Sequence, residues 1–134
     1  MITKKIVLGS ANINHLYGLN KNKIKGKKFL ELMNYVYQKG VKIIDTSPSY
    51  KNSEKVIGLS KKKFEIISKI PKVPKNIKKN DLKNWIIKKI INSKKKTKKK
   101  IYGILVQNAE ILLSKNSDII FNTLLNLKSK GYFN

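Results

Sequence analysis

The chain has no cysteine and no arginine, one histidine, and only seven acidic residues in 134. Each shortage removes a class of function. Without cysteine there are no disulfides and no thiolate metal ligands, and one histidine leaves a zinc site short of donors, so no metal is expected. Arginine is the side chain suited to bidentate contact with phosphate and guanine, so sequence-specific nucleic-acid reading lacks its main instrument. Nowhere do about 18 apolar residues run together, as a membrane-spanning helix requires. The opening MITKKIVLGSANINH has a short apolar run and no small-residue cleavage pattern, so the expectation is a soluble cytoplasmic protein with no membrane partner. Neither G-x-G-x-x-G after a strand nor G-x-x-x-x-G-K-S/T occurs, which argues against Rossmann and P-loop nucleotide binding.

What the chain has in excess is lysine. All 31 basic residues are lysines, the formal net charge is +24, and lysine, isoleucine and asparagine fill 66 of the 134 positions. Such a surplus ordinarily points to nucleic acid or another anionic surface, because cations bound to phosphates release counterions. These three residues share codons rich in A and T, however, so coding bias accounts for the excess without any ligand. The densest run, Lys94 to Lys100 with Thr97 inside it, reads as a solvated turn whose lysines lie near a helix C-terminus.

Four short apolar segments rich in branched residues read as strands buried on both faces: KKIVLGSA near the start, VKIIDTS from Val41, FEIISKI from Phe64 and IYGILVQ from Ile101. Between and after them the apolar spacing is helical. Phe29, Leu32, Met33 and Val36 form one stripe, Leu82, Trp85, Ile86 and Ile90 a second, and Ile120, Leu124 and Leu127 a third. Val56 and Ile57 suit a shorter helix with Ser53 as N-cap and Glu54 near its positive end, while Gly40 and Gly131 are placed as C′ glycines of the first and last helices. The order is βα four times over, a single α/β domain spanning 1–134 with a parallel sheet and right-handed crossovers. The segment from Pro71 to Asn76 breaks any helix and reads as a βα loop.

In such folds ligands meet the carboxyl ends of the strands. Asp45 and Tyr50 follow the second strand, Lys69 ends the third, and Gln107 with Asn108 ends the fourth, so all five are expected at one mouth. An acid, a tyrosine and a lysine together suit proton transfer, because a free phenol has a pKa of about 10 and a nearby ammonium lowers it. Taken singly, each residue has an ordinary alternative as a turn or loop residue. His15, in the first βα loop, is expected to be an ordinary loop residue.

The succession LGSANINHLYGLN, IIDTSPSY, SEKVIG, FEIISK and LVQNAEILL resembles the aldo-keto reductase family, from about Val7 to the last residue and in the family's order and spacing. The resemblance implies half of an eight-stranded (β/α)8 TIM barrel, since 134 residues cover about half of a typical ~250-residue barrel. It implies hydride transfer between NADPH, or NADH, and an aldehyde, ketone or sugar carbonyl. Tyr50 then acts as general acid, Lys69 supplies the ammonium, and Asp45 holds Lys69. Gly9, Ser10 and Asp45 fall on the nicotinamide side, and Asn108 faces the substrate.

Two departures accompany the resemblance. Gln107 stands where the family usually has a histidine; its amide can donate to a carbonyl but cannot change charge. The chain also stops where a fifth strand would begin, so it is expected to be an N-terminal half, inactive alone, that self-associates through its exposed sheet edges. A non-catalytic remnant or assembly module of the same fold is the second reading, and a basic nucleic-acid binder the third.

Overall fold

The structure is a computed structural model that describes residues 6–16, 18–19 and 22–134. Four strands alternate with four helices: β1 Val7–Gly9, α1 Gly26–Gln38, β2 Ile43–Asp45, α2 Ser53–Leu59, β3 Glu65–Ile70, α3 Lys79–Thr97, β4 Lys100–Val106 and α4 Ser117–Ser129. A 3-10 turn, Ala109–Leu113, follows β4 and carries no periodic signal in the sequence. The strands form one parallel sheet in the order β1-β2-β3-β4, as the repeated βα pattern requires. Lys4, Lys5 and Tyr17, parts of the first strand motif and of the YG pair, lie outside the described residues.

Both helix stops expected at glycine are present. Gly40 and Gly131 adopt φ of 93° and 72°, a region open to glycine without a Cβ penalty. The residue after each glycine bonds back into the helix: Val41 N–H donates to the Val36 carbonyl at 3.0 Å, and Tyr132 N–H to Leu127 at 3.1 Å. These bonds satisfy carbonyls that a helix end leaves open.

The helix stripes pack as their spacing predicts. Phe29 and Met33 of α1, with Ile44, Val56, Ile57 and Ile66, close one half of the core; Ile70, Leu82, Ile86, Ile90, Ile101, Ile120 and Leu127 close the other. The expectation of strands buried on both faces is corrected. Burial alternates along β3, with Ile66, Ser68 and Ile70 buried against the helices and Glu65, Ile67 and Lys69 half-buried on the other side. On that other side no layer packs among the described residues, and Val7 is 41% and Leu105 51% exposed. The outer edge of β4 is partly covered by the chain itself. Phe133 forms a parallel bridge with Ile101, and Asn134 N–H donates to the Tyr102 carbonyl at 3.2 Å. Among the described residues no helix is long and apolar enough to cross a membrane.

The start of α2 also differs from expectation. Asn52 occupies the N-cap without a side-chain cap bond. Ser53 lies one residue inside, and its hydroxyl donates instead to the Ser10 carbonyl at 2.9 Å, tying α2 to the end of β1. Glu54 stands in the first turn of α2, as expected, and is only 2% exposed, because α2 turns it toward Ser68 of β3 and Ser93 and Lys96 of α3.

Candidate active site

Strand register builds the site. Gly9 pairs with Asp45, and Asp45 with Ile67, so these residues stand in one row across β1, β2 and β3. Lys69 comes two residues after Ile67 and therefore on the same face, one step nearer the mouth. Its Nζ reaches back to Asp45 Oδ1 at 2.5 Å and donates also to the Thr46 carbonyl at 3.1 Å. With the Lys69 side chain 12% exposed and Asp45 30%, this is an ion pair partly withdrawn from water. The β2–α2 loop then folds back over it. Tyr50 N–H donates to the Ser47 carbonyl at 3.0 Å, and Ser53 N–H to the Tyr50 carbonyl at 2.8 Å, a double turn that sets the phenol ring with its centroid 5.0 Å from the Lys69 ammonium. Asp45, Lys69 and Tyr50, about as far apart in sequence as 45 and 69, are thus brought together.

Gln107 follows β4, where its N–H donates to the Ile70 carbonyl at 3.0 Å and continues the sheet by one rung. Its side-chain oxygen accepts from the Ser47 hydroxyl at 2.9 Å and from the Ser49 hydroxyl at 3.1 Å. Ser47 Oγ in turn accepts the Ser49 N–H at 3.1 Å, which leaves its own proton to give to Gln107. With its oxygen engaged twice, the amide keeps its nitrogen for donation. These two serines were invisible as site residues in the sequence. The only signal was their place in the segment between Asp45 and Tyr50, where small polar residues are ordinary turn formers.

Gly9, Ser10 and Asn108 fall at the same end of the sheet but in different settings. A Cβ on Gly9 would meet nothing within 4 Å, so the space over Gly9 is open. Ser10 is fully buried; its N–H donates to the Asp45 carbonyl at 3.1 Å and its hydroxyl has no hydrogen-bond partner among the described residues. Asn108 lines a cleft of about 400 Å³ between the Lys72 to Ile77 loop and the 3-10 turn. His15 caps a turn through its N–H to the Asn12 carbonyl and makes no side-chain bond to these residues. No cluster of three metal-ligating side chains occurs among the described residues.

The open space over Gly9 and the half-buried Asp45 carboxylate beside it would accommodate the nicotinamide end of a dinucleotide. Two solved structures share the fold of this chain. The crystal structure of PA4992, an inferred aldo-keto reductase of Pseudomonas aeruginosa, superposes with a TM-score of 0.70 at 21% identity, covering 95% of this chain and 52% of that one. A second structure of an inferred aldo-keto reductase from the same organism gives 0.67 at 20% identity, covering 95% and 50%. The chain thus spans about half the length of the structures it matches and corresponds to the N-terminal half of their TIM barrel. No curated protein matches it. The sequence profile of the aldo/keto reductase family matches residues 5–132, nearly the whole chain, and the chain belongs to that family.

Proposed function

We propose that this chain carries the proton-donating half of an NAD(P)H-dependent carbonyl reductase, with NADPH as the preferred cofactor and an aldehyde, ketone or sugar carbonyl as substrate. The observation that carries this reading is Lys69, which bonds Asp45 at 2.5 Å while standing 5.0 Å from the Tyr50 ring. In this reading Tyr50 gives its proton to the oxygen of the carbonyl being reduced. Lys69 stabilises the negative charge left on the phenol, and Asp45 keeps the ammonium in place against thermal wandering of a long side chain. The Gln107 amide, held by Ser47 and Ser49, donates to the substrate oxygen and orients it, a role that needs a donor but no change of charge. Gly9 and Asp45 flank the reduced nicotinamide, which supplies the hydride when bound. Asn108 meets the rest of the substrate.

Alone, the chain is expected to turn over little or nothing, because the face that would complete the dinucleotide site is not built from these residues. The test is the rate of carbonyl-dependent NADPH oxidation by the purified chain, paired with NADPH binding followed by fluorescence. Weak binding that Gly9→Val abolishes, with negligible turnover, supports the reading. Robust turnover that Tyr50→Phe leaves intact overturns the assignment of Tyr50.

A second reading, a non-catalytic assembly module that pairs with its own copies, is favoured by the exposed Val7, Tyr102 and Leu105 on the open sheet face. Light scattering after size exclusion decides it. A clean monomer at micromolar concentration removes self-association, and a dimer that survives Tyr50→Phe and Lys69→Met supports it.

A further inference from the structure

The end of the sheet opposite the mouth is made by the turns that lead from each helix back into a strand. Lys42 stands before β2, Lys61 to Lys63 before β3, and Lys98 to Lys100 at the entry to β4. With Tyr37, Phe64 and Glu65 they line a groove of about 680 Å³. Seven of its ten lining residues are lysine, against 31 in the 134 of the whole chain, so coding bias does not account for the concentration. Glu65, the one acid among them, lies 3.3 Å from Lys100 and offsets a single charge.

The crowding is imposed by the fold. α2 and α3 meet so closely that a Cβ on Gly58 would overlap the Lys96 carbonyl oxygen, which fixes the turns after both helices side by side. Lys98 ends α3 in the left-handed region at φ 53°, where residues other than glycine are uncommon. Burial and the neighbouring Lys98 charge push the Lys99 ammonium below its ordinary value. Lys99 itself donates to the Ser60 carbonyl at 2.6 Å, bracing one turn against the next. A set of like charges held together by rigid packing, with one acid among them, is stabilised by whatever multivalent anion enters.

We propose that this groove binds a short chain of linked phosphates, either free polyphosphate or the triphosphate tail of a nucleotide, at the end of the sheet remote from the reductase mouth. Lysines act there as point charges, which suits a flexible phosphate chain, and no arginine is present to read base edges. A nucleic acid is the poorer fit. Base stacking needs a free ring face, and Tyr37 has the Lys42 ammonium 3.2 Å from its centroid and Phe64 edge-on at 5.0 Å.

Calorimetric titration of the full chain with sodium tripolyphosphate, at 50 and 200 mM salt as illustrative conditions, tests the proposal. Binding should weaken about tenfold or more at the higher salt. The triple variant Lys61→Gln, Lys63→Gln, Lys98→Gln should lose at least about tenfold in affinity, whereas Lys83→Gln, Lys88→Gln, Lys115→Gln, with the same change of charge elsewhere, should stay within about threefold. ATP binding as tightly as tripolyphosphate assigns the nucleotide tail, and much weaker ATP binding assigns free polyphosphate. Equal losses in the two triple variants, no binding at low salt, or tighter binding of an oligothymidylate would overturn the proposal. Should the groove variant fail to fold, amine labelling of the unaltered chain decides. Tripolyphosphate must protect Lys61, Lys63 and Lys98 selectively over Lys83, Lys88 and Lys115, and uniform labelling refutes the site.

Discussion

At the carboxyl ends of β2 and β3, Lys69 has a carboxylate at 2.5 Å, a backbone carbonyl at 3.1 Å and a side chain only 12% exposed. At the amino ends of β3 and β4, Lys61, Lys63 and Lys98 share a groove with Glu65 as the one acid, and that acid is matched to Lys100. The same side chain therefore does opposite work at the two ends. At the mouth its charge is neutralised in place and aimed at one ring; at the far end several charges are left for a ligand to neutralise. In a chain with 31 lysines, abundance says little, and what a given lysine does is set by what the register puts beside it.

The comparison rests on the far end being rigid, and the largest predicted effect attacks that rigidity. Gly58→Ala places a methyl group against the Lys96 backbone, an atom that cannot swing aside as a side-chain tip can. The expected loss is about 3 kcal/mol, the upper end of ordinary overpacking, read as a shift of the urea unfolding midpoint. A loss below about 0.5 kcal/mol would mean the two helix ends slide apart freely, and the lysine turns are then not held together by packing.

Next comes the contrast between two lysines. Lys69→Met leaves Asp45 a partly buried carboxylate without its cation, and the expected cost is about 2 kcal/mol, below the figure for a fully buried pair because Asp45 is 30% exposed. Lys63→Gln removes one of many mutually repelling charges and should leave stability within about 0.5 kcal/mol or raise it. Equal costs for the two substitutions would erase the distinction between the ends.

Much of this was legible in the chain. The four βα units follow from short apolar runs alternating with stripes of helical spacing, and Asp45, Tyr50 and Lys69 were singled out from strand-end position and the family's order. The serines that hold Gln107 were not, because Ser47 and Ser49 have the composition of any turn and their partner lies about 60 residues away. Glu54 lies in the first turn of α2 as expected, but its burial was not legible, because it comes from the close approach of α2 to α3. The lysine groove was hidden by the surplus itself, since three turns far apart in sequence converge only in the folded sheet.

Glu54 lies between the two ends and offers a charge that neither neutralises fully. Its Oε2 is 3.8 Å from Lys96 Nζ, while Oε1 makes no hydrogen bond among the described residues. Burial pushes its pKa up from 4.5, against the opposing pull of Ser93, Lys96 and Ser68. A raised carboxyl pKa means that the folded chain holds the proton more tightly than the unfolded one. The contribution to stability is therefore present below about pH 4.5 and is lost as pH rises through the folded value. Glu54→Gln has no proton to lose, so the variant should gain on the parent as pH rises. Parallel stability curves for the two proteins from pH 4 to 8 would show that Glu54 is not held away from its ordinary titration.

The smallest effect on stability is the sharpest on function. Gly9→Ala adds a methyl group where nothing lies within 4 Å, and Gly9 does not need a positive φ, so unfolding should change by less than about 0.5 kcal/mol. That same methyl group stands on the open surface beside Asp45, where the proposed function lays a nicotinamide ring against the backbone. NADPH binding should weaken several-fold while tripolyphosphate binding at the opposite end stays unchanged. If both ligands weaken together, the substitution has disturbed the sheet and says nothing about either end. If NADPH alone is lost, the cradle over Gly9 and the lysine groove are separate sites on one sheet, as the placement of their lysines requires.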